Sequence, residues 1–334
     1  MSKTIAKRVF SGVQPSGTQV HIGNYFGAMK HFVELAKEHE TIICIVDLHA
    51  LTSVKSASDL RSHSASLAAA YLAIGIDPRQ AIIFRQSDVP EVCELAWYLA
   101  CHFPLGLLER AHAVKDAKAK NININSGVMF YPILMAADIL LYKASLVPVG
   151  ADQKQHVEMT RDVAERFNLQ FGSIFPVPEA LITEETGVIR GIDGRKMSKS
   201  YDNFIGLFEE PSAMRKKVMR IVTDSKSVED VKDPEQCNVF QMFKLFASKE
   251  ACENLARQYR EGGMGYGVAK KELFDIMQLA LSPFREKYNH WVSQKDELED
   301  ILLDGAKRAR KIATQTISAV RLTLGTGSLK ASKT

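Results

Sequence analysis

The sequence contains little of what marks secreted proteins or proteins built around a metal ion. Only five of its 334 residues are cysteines, namely Cys44, Cys93, Cys101, Cys237 and Cys252. No two of them form a CxxC pair, and an odd number argues against a disulfide framework and against a zinc or iron–sulfur site. We therefore predict reduced cysteines, mostly buried as small hydrophobic residues, and no metal site made by the protein itself.

Long apolar segments and a strong net charge are also absent. No stretch reaches the length of a membrane span, and residues 1–4 do not lead into the apolar segment of a signal peptide, so we expect a cytoplasmic protein without membrane association. A formal charge of +4 is too small to indicate a nucleic-acid partner by itself. With 46% hydrophobic residues, the chain can bury a sizeable core in one large or two modest domains.

A basic group lies near the carboxyl end, in a segment whose only acidic residue after Asp300 is Asp304. Its members are Lys307, Arg308, Arg310, Lys311 and Arg321. Such a group is typical of a surface that faces phosphates, but it is equally typical of a solvated helix with a basic end. Charge alone leaves both interpretations open.

The first two hundred residues alternate between short β-branched runs and amphipathic patterns. The predicted strands are 7–13, 41–46 and 81–84, and the predicted helices lie near 24–38, 58–75 and 91–101. This alternation indicates βαβ units and a parallel sheet, whose ligands bind at the carboxyl ends of the strands. Gln14, His49 and Gln86 would cluster there.

Beyond Tyr201 the strand patterns fade and helical patterns take over. The predicted helices are 211–221, 238–247, 249–260, 267–290 and 294–323. Glycines at 262, 263 and 265 should break one run, and Pro283 should bend or end another. We therefore predict a catalytic α/β domain over residues 1–203 and an all-helical domain over residues 204–334.

Two short motifs outline a nucleotide site. In the first, a strand runs into a tight turn and a helix, so that backbone N–H groups point at an anion; its residues are Pro15-Ser16-Gly17 and His21-Ile22-Gly23-Asn24. The second is the string Lys196-Met197-Ser198-Lys199-Ser200, or KMSKS. A given five-residue string occurs by chance in a chain of this length only about once in ten thousand. Its two lysines could close over phosphates from a mobile loop, whereas the alternative is a solvated basic loop.

These motifs resemble those of class I aminoacyl-tRNA synthetases, and nearly the whole chain resembles the bacterial tryptophanyl-tRNA synthetases. The supporting segments, in family order, are 11–17, 45–52, 131–140, 148–156 and 222–225. The resemblance implies a Rossmann-type catalytic domain followed by a helical domain that binds the anticodon. It also implies a homodimer that activates L-tryptophan with ATP to tryptophanyl-adenylate and pyrophosphate and then transfers tryptophan to tRNA(Trp). Mg²⁺ would accompany ATP, held mainly by phosphates.

The same resemblance assigns the substrate sites. The expected tryptophan-binding residues are Phe10, His49, Tyr131, Met135, Asp138 and Gln153. Those expected for ATP are Gln14, Pro15, Ser16, Gly23, Asn24, Lys115, Gly150, Ala151, Asp152, Ile189 and the whole KMSKS string, with His21, Lys196 and Lys199 as catalytic residues. Two positions depart from the family pattern: Ala151 stands where Glu is usual, and His21 stands where many bacterial relatives carry Thr. A third phosphate-binding cation at Lys115 is no better supported than a solvated helix charge.

Asp138 decides the amino-acid substrate in this interpretation. It lies in an apolar helical run on the same face as Tyr131 and Met135, where an acidic group is costly unless it accepts a hydrogen bond. By resemblance, the donor is the indole N–H of tryptophan. The alternative is that Asp138 lies on the solvent side of an amphipathic helix.

Three other functions stay open at this point. A tyrosyl-tRNA synthetase shares the fold and the motifs but would be expected to carry a different pair of substrate-binding side chains. A small nucleotidyltransferase of the same superfamily needs no helical region of this size. A catalytically silent paralogue that binds RNA is disfavoured by the intact lysines at 196 and 199, and only an assay excludes it.

Overall fold

The computed structural model describes residues 6–17, 19–54, 56–111, 114–115, 124–150, 153–182 and 189–327. Within these ranges a five-stranded sheet contains β1 (Arg8–Val13), β2 (Glu40–Ile45), β3 (Ile82–Arg85), β4 (Leu146–Val149) and β5 (Glu179–Ile182). Every pairing in it is parallel, so the predicted α/β fold is confirmed. The sequence analysis named only the first three strands. The fourth is four residues long and contains Pro148, which argues against a strand inside a sheet when only the sequence is read.

The strand order β3-β2-β1-β4-β5 defines where a ligand can bind. β1 pairs with β2 along its whole length, from Arg8 opposite Glu40 to Val13 opposite Ile45, and with β4 on its other side. The order therefore reverses between β1 and β4: the connection from β1 runs to β2 on one side, and the connection from β4 runs to β5 on the other. In parallel α/β sheets this reversal opens a crevice that serves as the ligand site.

Helices cover both faces of the sheet. They are α1 (Ile22–Asn24), α2 (Lys30–Glu38), α3 (Asp47–Ala50), α4 (Ala57–Ala73), α5 (Glu91–Ala100), α6 (Leu105–Glu109), α7 (Ser126–Leu141) and α8 (Lys154–Phe171), with a π-helical turn, Tyr25–Met29, joining the first two. Successive strand residues point to opposite faces, so Ile43 and Ile83 belong to one core while Cys44 and Phe84 belong to the other. Burial on both sides explains the nearly continuous apolar runs in the sequence.

A second group of helices follows residue 203. They are α9 (Pro211–Met219), α10 (Asn238–Phe243), α11 (Lys249–Glu261), α12 (Tyr266–Ser293) and α13 (Lys295–Leu324). α11 ends before Gly262, whose φ is 76°. A β-carbon at this position would also lie only 2.6 Å from the Glu229 carbonyl oxygen, so both the backbone angle and the space require glycine. α12 does not end at Pro283 but continues to Ser293. Apolar residues before and after residue 203 share one core.

The last helix, α13, returns to the sheet and covers its edge strand β3. A β-carbon on Gly305 would lie 1.8 Å from the Ile83 carbonyl oxygen, so only glycine allows this close approach. Three of the five basic residues near the carboxyl end bond to the first half of the chain: Arg308 to the Pro78 carbonyl (2.6 Å), Arg310 to Glu91 (2.7 Å) and Arg321 to Glu94 (2.6 Å). Lys307 and Lys311 are exposed, and so is Arg310 despite its bond to Glu91.

Two further sequence predictions concern the surface. Cys44 and Cys237 are buried and Cys252 is half-buried, but Cys93 and Cys101 are exposed on and just after α5, so the prediction of mostly buried cysteines was wrong. Cys93 lies on the outer side of α5, whose inner side fills the core with Val92, Leu95 and Leu99, and Cys101 follows the last residue of that helix. No helix of the described residues has the length and apolar character needed to cross a bilayer.

Candidate active site

A cavity of about 110 Å³ lies at the crevice between β1 and β4. Its walls are formed by Phe10, Gly12, Val46, His49, Tyr131, Met135, Asp138, Ile139, Val147, Pro148, Val149 and Gln153. All six residues predicted to bind tryptophan are among them. The structure therefore gathers residues from β1, α3, α7 and the start of α8 around one space at the carboxyl ends of the strands.

Asp138 lies at the bottom of this cavity with 1% of its surface exposed, so the alternative that it faces solvent is wrong. Two side chains donate to it: His49 Nε2 at 2.9 Å from Oδ2, and Gln86 Nε2 at 2.8 and 2.9 Å from Oδ1 and Oδ2. Burial raises the pKa of Asp138, and these two donors oppose that rise. The sequence analysis placed Gln86 among the strand ends but did not foresee this contact, because the two residues come from different elements and share no pattern.

Aromatic rings and one amide complete the cavity walls. The His49 and Tyr131 rings lie 4.3 Å apart, and Phe10 stacks on Tyr142 at 5.5 Å, which fixes its ring in place. At the start of α8, Gln153 Oε1 lies 2.9 Å from His156 Nδ1. The result is a narrow apolar slot with a buried carboxylate at its base, which suits a flat ring that carries an N–H.

His21 caps the helical run that begins at Ile22, two residues before the helix predicted near 24–38. Its Nδ1 accepts the Asn24 amide at 3.2 Å, and its own amide donates to Asn24 Oδ1 at 3.1 Å. Burial and the nearby charge of Lys199 lower the pKa of His21 to about 4, so the ring is neutral at pH 7. Because Nδ1 accepts, Nε2 carries the proton, and His21 can offer an N–H to a phosphate without a positive charge.

The KMSKS loop lies directly on this turn, although some 175 residues separate the two motifs. Met197 is 4% exposed, and its sulfur would be 3.5 Å from a β-carbon on Gly23. Lys199 Nζ would be 3.3 Å from a β-carbon on Gly17. Partial burial lowers the pKa of Lys199. The fold thus brings the two halves of the predicted nucleotide site into contact.

Asn203, which the sequence analysis did not single out, holds the KMSKS loop in shape. Its Oδ1 accepts the Ser198 amide at 2.8 Å, and its Nδ2 donates to the Lys196 carbonyl at 3.0 Å and to Asp193 at 2.7 Å. Its backbone oxygen would lie 2.4 Å from a β-carbon on Gly191, so the approach needs glycine there. Partners that are mostly backbone groups leave no signature in a single sequence.

Gln14 joins the nucleotide turn to the tryptophan cavity. Its Nε2 donates to the His49 carbonyl at 3.0 Å. Gly17, beside which Lys199 lies, is the third residue after Gln14, and three residues span at most about 11 Å. A single ligand with an amino-acid end and a phosphate end could therefore reach both parts of the site.

The other residues predicted to bind ATP make fewer contacts with the turn and with the KMSKS loop. Pro15 is buried in the turn and Ser16 is exposed beside it, while Ser200 and Lys196 extend from the loop surface. Gly150 follows β4 with its carbonyl accepting the Gln153 amide at 2.9 Å, and the half-buried Ile189 accepts the Met197 amide at 2.8 Å.

Three predicted nucleotide residues are not placed in the site. Ala151 and Asp152 lie outside the described residues. Lys115 is exposed, and the contacts of the described residues do not join it to the turn or to the loop. The structure therefore adds nothing to its predicted role.

The groups around the turn are chemically suited to anions. They are N–H groups and ammonium groups, with the His21 imidazole as a neutral donor. Among the residues that the structure describes, no three His, Cys, Asp or Glu side chains form a cluster that could hold a metal ion. Hydrogen-bond donors and positive charges of this kind can bind nucleotide phosphates, but they are not ligands for a cation.

Comparisons of the sequence and of the structure with known proteins point to the same family. A profile of the family described as tRNA synthetases class I (W and Y) matches residues 3–282. The chain is 46% identical over 318 residues to a tryptophan--tRNA ligase of Rhodopirellula baltica, which covers 95% of this chain and 99% of that protein. A crystal structure of tryptophanyl-tRNA synthetase from Campylobacter jejuni with ADP and tryptophan is 45% identical, covers 95% and 99% of the two chains, and superposes with a TM-score of 0.91. A tyrosyl-tRNA synthetase from Archaeoglobus fulgidus, 18% identical with a TM-score of 0.66, shares the fold.

Proposed function

Since the chain belongs to the class I tRNA synthetases of the tryptophan and tyrosine family, we infer that it joins L-tryptophan to tRNA(Trp) in an ATP-dependent reaction. The relatives that are 44 to 46% identical over nearly the full chain carry the activity of tryptophan--tRNA ligase. The resemblance recognised from the sequence is therefore confirmed. Tryptophan first reacts with ATP to give tryptophanyl-adenylate and pyrophosphate, and it is then transferred to the terminal ribose of the tRNA.

One observation within the chain carries the choice of tryptophan: a buried carboxylate, Asp138, at the base of a slot walled by aromatic rings. Tryptophan brings an indole N–H that Asp138 can accept. Phenylalanine has no donor and would leave the carboxylate without that partner. A site built to bind a substrate N–H or O–H can reject the analogue that lacks it by roughly 10⁴ to 10⁵-fold without editing.

The proposed roles in the first step are positioning and charge neutralisation. The tryptophan carboxylate attacks the α-phosphorus in line, and pyrophosphate leaves. We assign His21 Nε2 and the amides of the turn to the phosphates, and Lys196 and Lys199 to the charge that develops on the departing pyrophosphate. The contact of Lys199 with the turn at Gly17 supports this assignment. Gln153 and Tyr131 are assigned to the substrate ammonium group.

Magnesium is proposed to enter with the nucleotide. Mg²⁺ prefers oxygen ligands and keeps several waters, so phosphate oxygens and water can hold it. In this proposal the protein itself supplies no ligand to the ion, because the described side chains at the turn are donors. When bound, the ion supplies charge neutralisation on the phosphates.

We also propose that residues 204 to about 300 contact the anticodon and that the protein acts in the cytoplasm as a homodimer. An apolar surface supports the dimer: Trp97 on α5, Leu105 on α6 and Phe130 on α7 are all exposed, and α7 packs against both other helices. Light scattering should give the mass of two chains, and Trp97→Glu should reduce it towards one. A wild-type monomer at micromolar concentration would contradict the dimer.

The reaction is tested by tryptophan-dependent exchange of pyrophosphate into ATP across all twenty amino acids. We expect exchange with tryptophan alone, and its loss in the variant Asp138→Ala. The matched control is Asp300→Ala, which removes an exposed carboxylate on α13 far along the chain and should leave exchange unchanged. Exchange with tyrosine would favour the other specificity of the family, and no exchange with any amino acid would indicate a silent paralogue.

A further inference from the structure

Gln86 is the first residue after β3 and has no exposed surface. Its amide makes four contacts, three of them with Asp138 and His49 in the wall of the tryptophan cavity and one with Leu48 next to His49. Nε2 lies 2.8 and 2.9 Å from the two oxygens of Asp138, and Oε1 accepts the amides of Leu48 at 3.1 Å and His49 at 3.4 Å. Since backbone amides only donate, the oxygen end of Gln86 must face them, and the NH₂ end must face the carboxylate. The orientation of this amide is therefore fixed by its surroundings.

The first consequence concerns the acceptor sites of Asp138. Oδ2 accepts from both His49 and Gln86, whereas Oδ1 accepts from Gln86 alone among the described residues. An ionised carboxylate has about four lone-pair sites, two on each oxygen. The two donors fill Oδ2 and leave one site on Oδ1. The oxygen that receives an indole N–H is thus selected by the protein before the substrate arrives.

The second consequence concerns His49. It lies in α3, a single turn whose N-cap residue, Val46, provides no side-chain hydrogen bond. Gln86, at the end of the neighbouring strand, provides the missing cap: its Oε1 accepts two amides of the first turn of α3. This holds the His49 ring between Asp138 and Tyr131. One side chain therefore ties together the end of β3, the helix α3 and the wall of the cavity on α7.

We propose that Gln86 is a positioning residue that sets the specificity for tryptophan by orienting Asp138 and His49, without touching the substrate. The proposal rests on the proposed function, in which Asp138 accepts the indole N–H. Without Gln86 the Asp138 carboxylate loses one hydrogen-bond donor, and its orientation is no longer fixed. Recognition of the N–H should then weaken more than recognition of the ring.

The test compares tryptophan with its analogue in which sulfur replaces the indole nitrogen, so that the ring shape is kept and the N–H is lost. Pyrophosphate exchange gives kcat/KM for both compounds. In Gln86→Met, which keeps the length of the side chain but has no amide, we expect the preference for tryptophan over the analogue to fall at least tenfold. The KM for ATP should change less than twofold, since Gln86 does not contact the turn or the KMSKS loop.

A second variant separates the two contacts of Gln86. Gln86→Glu keeps an oxygen for the amides of α3 but places a second carboxyl group against Asp138. Like charges in contact make one group hold a proton, which weakens Asp138 as an acceptor. The preference should again fall at least tenfold, with less loss of thermal stability than in Gln86→Met. This variant keeps the test decisive if the methionine variant does not fold.

The matched control is Ser87→Ala. Ser87 is the next residue along the chain and bonds to Asp47 through its amide (2.9 Å) and its hydroxyl (2.5 Å), so the change disturbs the same strand end without touching Asp138. Its preference for tryptophan should equal that of the wild type. If the Gln86 variants that fold keep the wild-type preference while losing activity towards both compounds, Gln86 is only structural and the proposal is overturned. A wild type that shows no preference would instead overturn the role of Asp138 in the proposed function.

Discussion

Removing the side chain of Asn203 should slow adenylate formation without changing tryptophan binding. In Asn203→Ala, the Ser198 amide and the Lys196 carbonyl lose their partners at 2.8 and 3.0 Å. Each such bond contributes about 1 kcal/mol net. The bond to Asp193 is not counted, because that carboxylate keeps Arg195 as a partner and is partly exposed.

The loss therefore amounts to about 2 kcal/mol in the stability of the ordered loop. If both KMSKS lysines act from this ordered conformation, the same free energy is added to the activation barrier. At about 1.4 kcal/mol for each factor of ten, the rate of adenylation should fall roughly 30-fold. The KM for tryptophan should change less than twofold, since Asn203 does not line the tryptophan cavity.

Tryptophan-dependent pyrophosphate exchange at saturating ATP measures this rate directly. The matched control is Asn254→Ala on α11, which removes an exposed asparagine whose Oδ1 accepts from Arg257 at 3.2 Å. It should exchange at the wild-type rate. An Asn203→Ala variant whose exchange rate stays within twofold of the wild type would show that the loop does not need this support.

Three further results are expected. Lys199→Ala should lower the rate of exchange by about 10²-fold, with a much smaller effect on tryptophan affinity; an unchanged rate would refute the role of Lys199 at the phosphates. The pKa of His21 is about 4 in the folded protein against 6.5 when unperturbed, so its neutral form stabilises the fold above pH 6.5 and this contribution is lost as the pH falls towards 4. His21→Gln should therefore lose less stability than the wild type between pH 6.5 and 4.5 in urea unfolding, and parallel curves would speak against it. Gly305→Ala should destabilise the protein by about 1 to 3 kcal/mol through its clash with Ile83. Gly267→Ala, at an open position within α12, should be at least as stable as the wild type because alanine favours a helix over glycine, and equal midpoints for both glycine variants would contradict the clash.

The candidate site divides into a part that the sequence could indicate and a part that it could not. The six residues predicted to bind tryptophan and the KMSKS string follow from motifs and family resemblance, because the proposed chemistry needs particular residue types in a particular order. Gln86 and Asn203 act through neighbours that are distant in the chain or that belong to the backbone. A single sequence contains no pattern for such contacts.

The role of the basic group near the carboxyl end could not be predicted from the sequence either. On charge alone, a phosphate-facing surface and a solvated helix with a basic end were equally supported. Glu91 and Glu94, the carboxylates that bind Arg310 and Arg321, lie about 220 residues earlier in the chain. Their proximity depends on how α13 packs against the sheet, and that packing is invisible in the local sequence.

By itself, the sequence determined the alternation of strands and helices, because side-chain periodicity and β-branching act between residues that are close in the chain. It also determined the reactive groups, since phosphate binding and indole recognition require lysines, N–H groups and a carboxylate. Only the tertiary structure decided that Asp138 is buried, which of its oxygens is left for a ligand, and where the last helix lies. These properties depend on which distant groups meet in the folded chain. A hydrogen bond or a close contact contributes to the free energy only after folding has brought its two partners together.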